Sequence, residues 1–206
     1  MAILSDKGIL NAIANKGLRI APLSLNDIQP ASIDLHIGKT YHRFEPCVLD
    51  LSADLHDKLQ EVETKEEFTD EGIELHPGEY VVIDTNEKIS IPQGMSAKIL
   101  NRNSLVRFGL DVAAATFLNP GFVGYKPLLV RNFGLSTFIL HTGDKICQIE
   151  FSELSSESNR SYMERHDIDA FDLAVAEATV LQGMVSVDRK REKDAFSRHL
   201  QNSILK

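Results

Sequence analysis

Cysteine is scarce in this 206-residue chain: only Cys47 and Cys147 are present, far apart and with no CxxC pair. They read as two small buried apolar residues in a reducing cytosol. The HxE…PCxxC arrangement is missing as well, which excludes chemistry by a zinc-bound hydroxide held in that way. No apolar run approaches the ~20 residues of a membrane span. The N-terminus, MAILSDKG, lacks the basic-then-apolar order of a secretory signal, so a cytoplasmic protein is expected. Positive charge is in deficit: 22 Lys and Arg stand against 30 Asp and Glu, for a net charge of −8. That argues against bulk affinity for nucleic acid or an anionic membrane, but it leaves room for a local basic pocket.

What is present is enough for a packed core, with 43% hydrophobic and 25% charged residues. Residues 5–16 read as a short helix capped by Ser5 or Asp6, with Ile9, Leu10 and Ile13 on its inner face and Gly17 as the stop. Short strands follow over 18–23, 31–38 and 40–46. In the second of these, Ile33, Leu35 and Ile37 alternate with Asp34 and His36. The charge-rich stretch 54–73 reads as an excursion or loop. Strands resume over 72–92, with Pro77-Gly78 and Thr85-Asn86 as breaks, and continue over 95–100, 109–117, 125–132, 135–143 and 144–154. Many short strands with Gly and Pro turns predict an all-β barrel or sandwich. After about residue 155 the pattern changes, and 169–181 and 187–206 favour helix. Phe196, Leu200 and Ile204 make a narrow apolar stripe suited to packing on the same domain or a sister subunit.

Two segments carry candidate chemistry. In NRNSLVRFGL (101–110), Arg102, Asn103, Ser104 and Arg107 gather two guanidiniums and a hydroxyl beside an apolar strand, a set suited to a triphosphate. Taken alone, exposed arginines beside a turn are the better reading. In LNPGFVG (118–124), Asn119-Pro120-Gly121 also reads as turn chemistry.

Order and context add weight. NRNSLVRFGL resembles the R-S-S-L-x-R-x-G-L segment of the dCTP deaminase branch of the dUTPase superfamily. QPASIDLHIG (29–38), LHPGEYVVIDTNEKISIP (75–92) and GDKICQIEF (143–151) resemble that family's other motifs, in the same order. The resemblance implies a distorted β-barrel or jelly roll of the dUTPase-like type over residues 1–165, with a short N-terminal helix. Residues 166–206 would be a helical C-terminal extension. It also implies a homotrimer with sites between subunits, a pyrimidine deoxynucleoside triphosphate as substrate, Mg²⁺ carried by the phosphates and no zinc. Arg102 and Ser104 match the phosphate-binding Arg and Ser, and Gln148 matches a Gln that contacts phosphate. Arg107 matches the Arg that organises the deamination site, and Asn103 replaces a Ser that touches the reacting group. Tyr162 fits a Tyr that abuts the nucleotide, and Gln182-Gly183 resembles the end of the lid.

Two replacements depart from the family pattern. Leu129 stands where the deaminases carry a catalytic Glu, and Asn119 where dUTPases and most deaminases carry an Asp. Losing a general base costs about 10²–10⁴-fold. AAATFLNPGF is also one residue shorter than the usual version. Glu150, Asp111 and Asp34 are the acids that remain as substitutes. The expected activity is hydrolytic deamination of dCTP to dUTP and ammonia. The alternative is a lapsed nucleotide-binding or regulatory trimer, and dUTP hydrolysis is disfavoured by Asn119.

Overall fold

Helix α1 (Asp6–Asn15) starts because Ser5 caps it, its Oγ accepting from the Gly8 N–H at 3.3 Å. Such a cap contributes about 1 kcal/mol. Ile9 and Ala12 are the residues it buries. In this computed structural model, residues 2–50, 58, 61–113, 116–158 and 162 are described. The helices expected over 169–181 and 187–206, the apolar stripe within them and Gln182 lie outside these residues.

The chain is mostly β. Its strands are β1 (Ala2–Ile3), β2 (Arg19–Ala21), β3 (Ile28–Gln29), β4 (Ser32–Phe44), β5 (Glu63–Glu67), β6 (Ile73–Leu75) and β7 (Tyr80–Ser90). After these come β8 (Met95–Asn101), β9 (Leu110–Ala113), β10 (Phe117–Leu118), β11 (Val123–Asn132), β12 (Phe138–Leu140) and β13 (Lys145–Glu153). A short helix, α2 (Asn103–Val106), links β8 to β9, and a 3₁₀ turn (Leu25–Asp27) precedes β3. The main sheet has 11 strands and runs β10-β8-β13-β4-β7-β11-β9, with β1, β2, β3 and β5 joined to its sides and every pairing antiparallel. It curls into a half-barrel around one core; β6 and β12 pair separately. Ile33, Leu35 and Ile37 of β4 meet Ile83 and Ile89 of β7 and Ile149 and Phe151 of β13 in that core, all fully buried. Each contributes roughly 1.5–3 kcal/mol by leaving water.

Four expectations are corrected. Cys47, expected to be buried, is exposed on the irregular segment after β4. The strands expected over 31–38 and 40–46 are one, β4, that runs through Gly38. A Cβ there would meet the Asp84 and Thr85 carbonyl oxygens at 2.7 and 2.9 Å, and the β4–β7 register shifts between Ile37 and Tyr41. Thr85-Asn86 does not break β7. Thr85 is buried, its hydroxyl donates to the Glu87 carbonyl at 2.8 Å and accepts from the Lys126 N–H at 2.9 Å, and the β7–β11 ladder absorbs an irregularity there. Part of the charged excursion is ordered as β5, which pairs with β4 and sets Glu66 against the Tyr41 hydroxyl.

At the far end of β11, two backbones cross in contact. A Cβ on Gly109, at φ +91°, would lie 2.3 Å from the Gly134 Cα; one on Gly134 would lie 2.2 Å from the Phe108 carbonyl oxygen. Asn132, fully buried, holds this crossing. Its amide donates to the Leu75 and Ser136 carbonyls at 2.9 and 2.8 Å, and its Oδ1 accepts from the Gly134 N–H at 3.0 Å.

Candidate active site

Three neighbouring strands of the sheet, β8, β13 and β4, bring the first group of candidates together. Across β13 and β4, Gln148 stands opposite Asp34, Cys147 opposite Leu35 and Lys145 opposite His36. Asp34 is 4% exposed. Its Oδ1 accepts from Gln148 Nε2 at 2.9 Å, and its Oδ2 accepts from Lys145 Nζ at 3.0 Å and from Gln29 Nε2 at 3.2 Å. Burial alone would raise this carboxyl. The hydrogen bonds from Gln148 and Lys145 and the charges of Lys145 and Arg102 outweigh it and hold the group below the usual carboxylate range.

The Lys145 ammonium also pairs with Asp27 Oδ1 at 2.6 Å, and its two carboxylate partners stabilise the charged form. Beside it, the His36 N–H donates to Glu87 Oε2 at 3.0 Å, and its Nδ1 lies 2.7 Å from Oε1. Burial pushes the Glu87 carboxyl up in spite of both His36 contacts.

Arg102 leaves β8 as the residue before α2, and its Nη1 donates to the Lys145 carbonyl at 3.3 Å. Arg102, Ser104 and Lys145 line an open cleft of about 440 Å³, walled by Ile37, Leu110 and Phe138. Cationic donors above an apolar floor suit the phosphates of a ligand whose body is partly apolar. Asn103 and Arg107 are exposed on the α2 turn and do not line this cleft.

A second group lies elsewhere. Asn119 follows β10, and its carbonyl accepts from the Phe122 N–H at 3.1 Å, closing a turn. Tyr162 docks on that turn. Its N–H donates to the Pro120 carbonyl at 3.0 Å, and its ring lies 5.7 Å from that of Phe122. The β10 strand pairs with β8 at Ala97 and Lys98. From there to Arg102 the chain advances about 17 Å, at ~3.3 Å per residue. Arg102 and Ser104 thus line one cleft with Lys145, and Gln148 reaches that group through Asp34, while Asn119 and Tyr162 sit together toward the other end of β8.

Leu129 is half-buried in the middle of β11, between Val82 of β7 and Ala113 of β9. Of the three acids considered as substitutes, Asp111 is the diagonal neighbour of Leu129 on the same face of the β11–β9 ladder, two residues along β9 from Ala113, while Asp34 and Glu150 lie on β4 and β13. Asp34 is saturated, as described. Asp111 accepts from Asn101 Nδ2 at 2.5 Å and lies 3.8 Å from Arg131 Nη2, and Glu150 faces Lys98 across the β13–β8 ladder.

The sequence reasoning missed Lys145, Asp27 and the His36–Glu87 pair. Lys145 is three residues from Gln148, a spacing that puts side chains on opposite faces of a regular strand. A shift of register between Lys145 and Cys147 brings both to one face. Asp27 arrives from a turn that no strand pattern marks.

The family profile described as dCTP deaminase-like matches residues 3–154. The chain belongs to the dCTP deaminase-like family. A relative from Halobacterium salinarum named "dCTP deaminase, dUMP-forming" is 38% identical over 167 residues, covering 78% of this chain and 85% of its own length. One from Halorubrum lacusprofundi named "dCTP deaminase" is 35% identical over 170 residues, covering 78% and 81%. Among solved structures, the 2'-deoxycytidine 5'-triphosphate deaminase from Agrobacterium tumefaciens superposes with a TM-score of 0.58 at 24% identity. That match covers 72% of this chain and 48% of the other, and supports the family's fold.

Proposed function

We propose that this family member binds a pyrimidine deoxynucleoside triphosphate, with Mg²⁺ carried by the phosphate oxygens, at a site completed between the subunits of a homotrimer. The observation that carries the reading is the split of the candidate residues. Arg102 and Ser104 line one cleft with Lys145, and Gln148 joins them through Asp34, whereas Asn119 and Tyr162 lie about 17 Å away along β8. A neighbouring copy brings the second group to the first. In this reading Arg102, Ser104 and Gln148 take the phosphates. Asn103, Arg107 and Asn119 face the reacting base and sugar, Tyr162 abuts the nucleotide, and Gln182 closes the site from the tail. Residues 1–165 form the nucleotide-binding domain, 166–206 are an extension, and the protein acts in the cytoplasm.

The reaction proposed is that of a dCTP deaminase without zinc. Water adds at C4 of cytosine, the exocyclic amine leaves as ammonia, and dCTP becomes dUTP. A second reading, a trimer that binds nucleotide without turnover, is favoured by Leu129, whose side chain takes no proton from water. Phosphate-chain hydrolysis of dUTP is disfavoured by Asn119, a neutral amide where an attacking water needs a base.

The test incubates the full-length protein with dCTP and Mg²⁺ and follows ammonia, dUTP, dUMP and melting temperature together. Conversion with ammonia release supports deamination. A nucleotide-dependent rise in melting temperature without ammonia supports the binding trimer, since a ligand of the folded state must stabilise it. Neither signal overturns both.

A further inference from the structure

We propose that Asp34 is a positioning residue of the triphosphate cleft: it touches no substrate, but it fixes the orientation of Gln148 and the place of Lys145 and, through Lys145, of Arg102. The inference rests on the reading of the cleft as a nucleotide site. Its starting point is the β-bulge in β13. Gln148 pairs with Asp34 and Cys147 with Leu35, but it is Lys145 that pairs with His36, so Ile146 is the additional residue. Both Ile146 and Cys147 are buried. The extra residue turns Lys145 onto the face of Asp34 and Gln148.

On that face one buried carboxylate organises three donors. A carboxylate held in its ionised form only accepts, so Gln148 has to offer its amide nitrogen to Asp34, which settles the amide's orientation. One N–H of that nitrogen is engaged, and the other remains for an anion. On the second oxygen, Lys145 is held by Asp34 on one side and Asp27 on the other. The backbone carbonyl of the same Lys145 accepts from Arg102. The residue expected to bind phosphate most strongly is therefore oriented by a peptide group whose own place depends on the bulge and on Asp34.

The test uses the full-length protein and calorimetric Kd values for dCTP with Mg²⁺, alongside the melting temperature without nucleotide. Asp34→Asn retains an oxygen for Gln148 but puts an amide N–H₂ against Lys145 and Gln29. We expect Kd to rise about tenfold, the scale of one lost charge-assisted hydrogen bond. In a Gln148→Leu background the same substitution should cost about threefold, because part of its effect runs through Gln148. A Kd within twofold of the unsubstituted protein with a lowered melting temperature, or costs that simply multiply, overturns the positioning role. If Asp34→Asn does not fold, Asp34→Glu takes its place. It keeps the charge but moves the carboxylate off the positions that hold Gln148 and Lys145, so an unchanged Kd there overturns the role as well. Arg102→Ala separates the two levels. If it binds dCTP as tightly as the unsubstituted protein, the cleft reading fails and this inference with it. If it binds weakly while Asp34→Asn binds normally, only the positioning role falls.

Discussion

Replacing Asn132 with alanine should be among the most damaging single changes in the half-barrel. Asn132 is fully buried, and its side chain makes three hydrogen bonds, to the carbonyls of Leu75 and Ser136 and from the N–H of Gly134. At about 1 kcal/mol net for each bond, the direct loss is about 3 kcal/mol. Ser136 is exposed, so water can satisfy its freed carbonyl, whereas the Leu75 residue is fully buried and its carbonyl has less access to water. The expected destabilisation is therefore about 3–4 kcal/mol, a large share of the ~5–15 kcal/mol typical of a domain. In a chain of this size that lowers Tm by roughly 6–15 °C. Urea unfolding of Asn132→Ala, followed by far-ultraviolet circular dichroism, gives the value directly from the midpoint at unchanged slope. Asn132→Asp sharpens the test. It keeps the acceptor for Gly134 but puts a carboxylate oxygen in place of the amide donor, against two carbonyl oxygens, which raises the pKa of the new carboxyl. Its stability should then recover in acid and fall as pH rises through that value. A loss below about 1 kcal/mol in the alanine variant, set against the expectation from three bonds, would refute this account of the buried amide.

Three further outcomes are expected. Leu129→Glu should release ammonia from dCTP at least about 100-fold faster than the unsubstituted protein; intact dCTP binding with no gain would mean that the missing base is not what limits turnover. Glu87 is raised in the folded state by burial, so its contribution is complete below the ordinary glutamate range near ~4.3 and is lost as pH rises through the raised value. Glu87→Gln should flatten that part of the stability–pH curve, and urea midpoints on both sides of the range that stay parallel to those of the unsubstituted protein would contradict it. A thiol reagent should modify exposed Cys47 in the native protein but reach Cys147 only after unfolding, because burial both shields that thiol and pushes its pKa up; counting labelled cysteines by mass spectrometry decides it.

Much of the fold was legible because its signals are local. The Ser5 cap, the inward Ile9 and the alternation through Ile33, Leu35 and Ile37 need only their neighbours in sequence to be read. Arg102 and Ser104 stood out as candidates because their side-chain chemistry is dense in one short segment. The errors arose where a distant strand decided the outcome. Nothing beside Gly38 announces that β7 passes close enough to forbid a Cβ, and nothing beside Thr85 reveals that its hydroxyl repairs an irregular ladder instead of ending a strand. Glu63–Glu67 carries too much charge to look like a strand, and it becomes one by pairing with the exposed side of β4. Lys145 was hidden by the bulge, since strand periodicity assigns it to the wrong face. The separation of Asn119 and Tyr162 from Arg102 is a property of the sheet and leaves no mark in motif order.

The crossing of Gly109 and Gly134 bears on how this protein can be varied in a library. The atoms that a side chain would strike at either position belong to the opposing backbone, within 2.2–2.4 Å. No exchange at a third residue makes room, because trimming a neighbouring side chain does not move a main chain. Randomising both positions and selecting for folded protein should return glycine at each, independently and without co-varying partners. The loop tip beside them, where Leu135 is 97% exposed, should accept nearly any residue. Diversity aimed at reshaping the α2 turn therefore has to be spent on Asn103, Val106 and Phe108, with the two glycines held constant.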